Sequence, residues 1–261
     1  MANLIRLPKL GSDWTFNELA SYHINLQQQE ALQFLGVQAL PQPVVDPEIL
    51  NNLDAAAMQQ DNHAELVNLL DLAMIPSKGE TAVDDFVVEL FKYLGYVRRN
   101  RVARTRVDIP LNICGEVRHA KTDVCLIDRM QNDIILLVQE DKRLEDTEPT
   151  NARAQLVAEA VTAFTENNIN RDALGLPPLA EKVIPGIVMV GTMPTFFKIP
   201  VTQTLATHIA FGTYPPAETI VNYCYPPVPR PARRRSEGMK PLDNRREVLK
   251  CYEAFKAIVG I

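Results

Sequence analysis

The strongest constraint on the fold is a short apolar run that turns polar at its end. Residues Ile134 to Val138 are all apolar, and Gln139-Glu140-Asp141-Lys142 follow directly. An uninterrupted run of this length is typical of a strand that is covered on both faces of a sheet. Because strand side chains alternate between faces, we expect Glu140 and Lys142 to share one face and Asp141 to point away. The sequence therefore predicts two charged groups where a buried sheet meets solvent, the usual place for a site in an open α/β sheet.

A second strand is predicted just upstream. The segment Thr122 to Asp128 is rich in Val, Cys, Leu and Ile, and the polar stretch up to Asp133 is short enough for a hairpin turn. Pairing about this turn would bring Asp123 opposite residues 138 to 140. The carboxylates of Asp123 and Glu140 would then share one divalent cation, and Mg²⁺ and Mn²⁺ prefer such oxygen ligands.

The neighbouring segments predict an α/β fold. Helical and strand-like patterns alternate in the order helix 83–94, strand 102–109, strand 122–128, strand 133–142, helix 151–168 and strand 183–190. A mixed central sheet with helices on both faces would bury these elements. We expect this core to span residues 77–215.

The two ends of the chain are interpreted as accessory. Residues 1–76 are predicted to be helical, with helices at Asn17 to Phe34 and Asp61 to Met74 separated by Pro41-Gln-Pro43. Residues 216–261 are predicted to form a Pro/Arg-rich segment and a C-terminal helix. The proline-rich stretch from Tyr214 to Pro231 is expected to be a loop or linker.

The candidate site resembles that of a known superfamily. Asp123 followed by Glu140-Asp141-Lys142 after an apolar strand is similar to the D…(D/E)xK signature of the PD-(D/E)XK nucleases. Their restriction-endonuclease-like core has the order helix-strand-strand-strand-helix-strand, which agrees with residues 81 to 190. The resemblance implies that Asp123, Glu140 and the main-chain carbonyl of Asp141 bind Mg²⁺ or Mn²⁺, and that Lys142 assists the attacking water. Thr122 stands where many members have proline.

Two further features agree with this resemblance. Many members carry an acidic residue on the first core helix, and Asp85 or Glu89, which share one helix face, could take that place. Several members have a glutamine on the helix after the third strand, where Gln155 lies. The alternatives stay open: Asp85 and Glu89 could be ordinary charges on the helix surface, and Gln155 could be an exposed helix glutamine.

Arginines are the candidate contacts to nucleic acid. A net charge of -5 and a pI near 5.5 argue against binding through overall charge, so local patches would be needed. The first patch is a stripe of Arg99, Arg101, Arg104 and Arg106, which could bind phosphates or protect a solvated strand edge. The second patch, around Arg233 to Arg235 with Arg245 and Arg246, is interpreted either as a nucleic-acid contact or as a basic linker.

The functional hypothesis implied by the resemblance is a Mg²⁺- or Mn²⁺-dependent nuclease that cuts DNA or RNA through a metal-activated water. A catalytically inactive binding module of the same fold is the alternative, and a structural protein that binds neither metal nor nucleic acid is a third option. We expect no membrane partner and allow for a homodimer. The four cysteines are scattered, and no secretory signal or bilayer-spanning run is evident, so we expect an intracellular protein of the cytoplasm or nucleus.

Overall fold

The computed structural model describes residues 6–75, 80–141 and 150–261. These residues form nine strands: β1 Ile24–Gln28, β2 Arg101–Thr105, β3 Asp108–Ile113, β4 Glu116–Lys121, β5 Val124–Asp128, β6 Asp133–Glu140, β7 Glu181–Val190, β8 Met193–Thr202 and β9 Thr219–Cys224. They also form nine α-helices: α1 Phe16–Ser21, α2 Ala31–Leu35, α3 Pro47–Asn51, α4 Asp61–Ala73, α5 Glu80–Tyr93, α6 Thr150–Ala173, α7 Gln203–Phe211, α8 Arg234–Glu237 and α9 Leu242–Val259.

Seven strands build one mixed sheet in the order β1-β9-β8-β7-β6-β5-β2, and β3 and β4 form a separate hairpin. The predicted hairpin of β5 and β6 is confirmed, with Val124 opposite Val138. Strand β6 runs parallel to β7, and two antiparallel steps through β8 make β9 parallel to both. Strands β6, β7 and β9 therefore end at the same edge of the sheet, which we call the carboxyl edge.

The sheet is covered on both faces, as the apolar run of β6 predicts. Leu136 and Val138 belong to the core shared with α4, α5 and α9, whereas Leu137 belongs to the core shared with α1, α6 and α7. A mixed α/β fold with a helix-flanked central sheet is thus confirmed. Among the described residues, no helix is both long enough and apolar enough to cross a bilayer.

The predicted strand 102–109 is shorter than expected. Strand β2 ends at Thr105 because Arg106 takes a left-handed backbone conformation, with φ of 55°. The chain then forms the β3–β4 hairpin before it returns to the sheet at β5. Cys114 and Gly115 make the turn of this hairpin with φ of 52° and 80°, the two positive values that a type I′ turn requires.

Two predictions for the chain ends are wrong. The helix expected at Asn17 to Phe34 is divided by strand β1, and His23, with φ of 54°, stands between α1 and β1. The proline-rich stretch from Tyr214 contains strand β9, which pairs with both β1 and β8. The sheet consequently includes one strand from residues 1–76 and one from residues 216–261. The predicted helix over 61–74 and the predicted C-terminal helix are present as α4 and α9.

Candidate functional site

A cavity of about 410 Å³ lies between the end of β6 and the first turns of α6. Its charged lining consists of four acidic and two basic residues of the described chain, namely Asp123, Glu140, Asp141, Glu159, Arg106 and Lys121. A concave site at the carboxyl edge with convergent polar groups is the usual form of a binding or catalytic site in such a sheet. The structure thus brings the two carboxylates expected from the sequence, Asp123 and Glu140, to one cavity.

Asp123 is held by β6. It directly precedes β5, so that the pairing of Val124 with Val138 places it beside Gln139. The side-chain amide of Gln139 donates to Oδ2 of Asp123 at 2.8 Å, and the backbone N–H of Glu140 donates to the same oxygen at 2.7 Å. These two donors fix the orientation of the carboxylate. The role of Gln139 was not foreseen from the sequence.

Glu140 and Asp141 both line the cavity. They are almost fully buried, with 9% and 7% of their surfaces exposed. Alternation predicted that Asp141 would point away, but β6 ends at Glu140 and the alternation is not continued beyond it. The backbone N–H of Asp141 donates to the carbonyl of Met189 at 2.7 Å, which ties the segment to β7. Lys142 lies outside the described residues.

Glu159 is a site residue that sequence reasoning missed. It lies four residues after Gln155 on α6, on the same helix face, and only 2% of its surface is exposed. Its Oε2 atom has no hydrogen-bond partner among the described residues. Burial, together with the nearby charge of Asp123, raises the pKa of Glu159 well above the ordinary carboxyl value. The sequence offered one indication of this role, since the i, i+4 spacing places Glu159 on the same helix face as the predicted site residue Gln155.

The other predicted site residues lie at different distances from the cavity. Gln155 lines it, and its side-chain amide donates to the carbonyl of Ser12 at 2.5 Å, so this group also holds the N-terminal segment. Asp85 is exposed, and Glu89 pairs with Lys92 at 3.0 Å; neither lines the cavity. Asp84 of α5 instead contacts a residue of the cavity lining: it is 5% exposed, and its carboxylate lies 3.9 Å from Nε of Arg106.

The four arginines predicted to bind nucleic acid do not form one continuous basic surface. Arg106 lines the cavity, and its backbone N–H donates to the carbonyl of Asp123 at 2.9 Å. Arg101 pairs with Asp128 at the other end of the β2–β5 ladder, and its guanidinium donates to the carbonyls of Tyr96 and Gly95 at 2.9 and 3.2 Å. Arg99 and Arg104 are exposed, in the turn before β2 and on β2.

Side-chain oxygens in the cavity suit a hard divalent cation. The charged ligands on offer are carboxylates, with no thiol or imidazole among the described lining residues. One buried oxygen of Glu159 accepts no hydrogen bond from the part of the chain that the structure describes. No three of the described acidic residues bring their oxygens within 4.8 Å of one another here. A cation would therefore be held by one or two side chains at a time, with a main-chain carbonyl and water completing its shell.

A tighter cluster exists elsewhere among the described residues. Ligand atoms of Asp46, Glu48 and His63 all lie within 4.8 Å of one another. They are linked to each other and to Tyr93: Nδ1 of His63 lies 2.5 Å from Glu48, its Nε2 lies 3.4 Å from the Tyr93 hydroxyl, and the Glu48 N–H donates to Asp46. This network joins α3, α4 and α5, and its hydrogen bonds account for the close approach without an ion.

Comparison of the chain with protein-family models and with curated proteins finds no match.

Proposed function

We propose that this chain is a metal-dependent nuclease that hydrolyses phosphodiester bonds of DNA or RNA, with a core of the PD-(D/E)XK type. The observation that carries the proposal is the convergence of Asp123, Glu140, Asp141 and Glu159 on one cavity at the carboxyl edge. Acidic groups that are buried together are costly unless a cation compensates them.

The order of elements supports the family assignment. Helix α5, strands β2, β5 and β6, helix α6 and strand β7 follow the order helix-strand-strand-strand-helix-strand, with the β3–β4 hairpin inserted after β2. Strand β7 joins β6 in parallel after the crossover through α6.

The residues of the cavity fit Mg²⁺ or Mn²⁺. Asp123, Glu140 and the main-chain carbonyl of Asp141 would hold the ion, and the buried carboxyl group of Glu159 lies near Asp123 without being a third side-chain ligand in this arrangement. When bound, such an ion supplies an activated water and neutralises charge on the phosphate. Gln139 and the Glu140 N–H keep the Asp123 carboxylate in place, as partners of a metal ligand do.

Two basic residues of the cavity lining would face the substrate. Arg106 and Lys121 are exposed at the mouth of the cavity, where they can attract and orient the phosphate of a bound strand. Lys142 as the group that assists the water stays a prediction from the sequence.

Cleavage assays with matched variants test this function. Purified protein is incubated with labelled single-stranded DNA, duplex DNA and RNA, in Mn²⁺, in Mg²⁺ and in EDTA. We expect metal-dependent cleavage by the wild type and its loss in Asp123→Ala and Glu140→Ala, with unchanged circular dichroism. Asp172→Ala, an exposed residue at the far end of α6, is the control and should cut normally. Equal cleavage by all four proteins would refute the proposal.

An inactive binding module of the same fold is the second candidate. It is favoured by the net charge of -5, because a nuclease usually needs a basic channel for its substrate. Thermal melting distinguishes the two functions, because a cation that binds only the folded state raises the melting temperature. A Mn²⁺-induced rise in the wild type that is absent from Asp123→Ala supports the enzyme, and no rise in either supports the module.

A further inference from the structure

Two arginines stacked on tyrosine rings form a cluster near the cavity. The guanidinium carbon of Arg153 lies 4.5 Å from the ring centre of Tyr223, and that of Arg234 lies 3.8 Å from the ring centre of Tyr225. Nη2 of Arg153 also donates to the Tyr225 hydroxyl at 2.5 Å. These contacts join the four residues into one unit, which we call the arginine–tyrosine cluster.

The cluster lies at the carboxyl edge, as does the acidic cavity. Tyr225 directly follows the last residue of β9, and β9 ends at the same edge as β6. Arg153 is the neighbour in sequence of Ala152, which lines the cavity from the first turn of α6. The first turns of α6 therefore contribute to the cavity through Ala152 and Gln155 and to the cluster through Arg153.

The two arginines of the cluster form no direct ion pair with a described carboxylate. No described carboxylate lies within 4.0 Å of Arg153 or Arg234, although only 9% of Arg153 is exposed. By contrast, Arg230 contacts both Glu237 and Asp243 at 2.7 and 2.6 Å. The positive end of the α6 dipole adds to the positive potential around Arg153, and this potential favours the approach of an anion.

Phosphodiesters are the anions that this arrangement suits. A guanidinium presents a planar fork of N–H donors to phosphate oxygens, and stacking on a ring holds the fork in one orientation. Arg101, one of the arginines expected from the sequence, is less suited, because its guanidinium already donates to two backbone carbonyls.

We propose that Arg153 and Arg234, held by Tyr223 and Tyr225, bind backbone phosphates of the nucleic acid next to the bond positioned at the acidic cavity. This inference rests on the proposed nuclease function, and it assigns the strand-binding surface to the side of the cavity that faces β9. The ligand is the phosphodiester backbone, which DNA and RNA share.

Fluorescence anisotropy in EDTA tests the inference without cleavage. The probes are a labelled single-stranded DNA, its duplex and the matching RNA, each titrated with full-length protein over a series of KCl concentrations. We expect Arg234→Gln to weaken binding about five- to tenfold, as loss of one charge-assisted contact does. The slope of log Kd against log[KCl] should fall by about 0.7 to 0.9, which corresponds to one phosphate contact.

Arg129→Gln is the matched control. Arg129 is exposed just after β5, at the end of the sheet opposite the carboxyl edge, and it donates to Oδ1 of Asn132 at 2.8 Å, so its loss should change affinity less than twofold. Arg153→Gln should behave like Arg234→Gln; if it lowers the melting temperature, Arg234→Gln alone decides. Equal binding by Arg234→Gln and the wild type, or no binding of any probe by the wild type at low salt, would overturn the inference. In the first case, metal-dependent cleavage that is lost in Asp123→Ala would leave the nuclease proposal intact.

Discussion

The side-chain amide of Gln139 donates a 2.8 Å hydrogen bond to Oδ2 of Asp123, and this contact links the two strands of the central hairpin at the point where they enter the cavity. Both residues line that cavity, and Gln139 is 6% exposed. A donor in this position orients the carboxylate toward a cation and leaves its charge unchanged. Gln139 is therefore a positioning residue of the candidate site.

Gln139→Met should weaken metal binding without unfolding the protein. The variant keeps the side-chain length and removes the amide donor, so Oδ2 of Asp123 loses the Gln139 hydrogen bond and keeps that of the Glu140 N–H. Loss of such a supporting contact typically lowers metal affinity about 10- to 100-fold. Isothermal titration with Mn²⁺ measures the change, and Gln33→Met, an exposed residue of α2, is the control. Unchanged affinity in Gln139→Met would show that Gln139 does not position Asp123.

Glu159→Gln should stabilise the metal-free protein at high pH. Burial beside Asp123 raises the pKa of Glu159 in the native state, so the native state binds this proton more tightly than the unfolded chain does. The contribution to stability is therefore complete below the ordinary carboxyl pKa of about 4.3, and it is lost as pH rises through the raised native pKa. Glutamine cannot ionise and removes this loss.

Melting temperatures in EDTA check the Glu159 prediction. The variant should melt higher than the wild type at about pH 8, and the gap should shrink toward about pH 3. The difference at low pH reports any packing change caused by the substitution itself, since Glu159 is protonated in both states there. A gap that does not vary with pH would contradict the assignment of a raised pKa to Glu159 in the native protein.

Asn167→Ala should destabilise the chain through β6. The buried side chain of Asn167 on α6 accepts from the N–H of Ile134 at 2.7 Å and donates to its carbonyl at 2.9 Å. Ile134 lies where the β5–β6 register shifts, so ordinary ladder pairing does not replace these bonds. Two buried backbone groups without partners cost about 2 to 5 kcal/mol, or a fall in melting temperature of about 5 to 15 °C.

Asn170→Ala is the comparison for Asn167→Ala. Asn170 is less buried, on the next turn of α6, and makes a single 3.2 Å bond to the carbonyl of Asn132. Its loss should change the melting temperature by less than about 2 °C. Similar shifts in both variants would show that the two hydrogen bonds between Asn167 and Ile134 do not stabilise the protein.

What the sequence predicted correctly depends on local patterns. The β5–β6 hairpin follows from two apolar runs joined by a short polar turn, and it alone brings Asp123 next to the end of β6. Strand β1 could not be predicted in this way, because Leu19, Tyr22 and Leu26 have helical spacing and the partner of Ile24 is Thr219, far along the chain. Pairing over such a distance leaves no local signal.

The same limit applies to the site. Glu159 and Gln155 share a helix face that the spacing indicates, but nothing in the sequence distinguishes Glu159 from a solvated helix charge until α6 packs on β6. Arg106 is a similar case. Its place in the cavity depends on a left-handed backbone conformation and on a hydrogen bond to the Asp123 carbonyl. The sequence indicates neither of them, because a residue other than glycine gives no sign of a positive φ.

Arg245→Lys should destabilise the protein far more than Arg246→Lys, although both arginines belong to the second basic patch of the sequence. Arg245 is 1% exposed, and its guanidinium donates to backbone carbonyls of the α3 region and of the segment before α9, those of Ile49, Asn52, Leu53, Met239 and Lys240. A lysine ammonium has three donors at one point and cannot reach this fan of acceptors. Arg246 is exposed and donates to Oδ1 of Asn51 alone at 2.9 Å.

Urea denaturation should show that the free energy of unfolding falls by about 2 to 4 kcal/mol in Arg245→Lys and by less than about 0.5 kcal/mol in Arg246→Lys. Nucleic-acid affinity of folded Arg245→Lys should match the wild type, because a guanidinium buried against carbonyls is not available to phosphate; equal stability of the two variants would contradict this structural role.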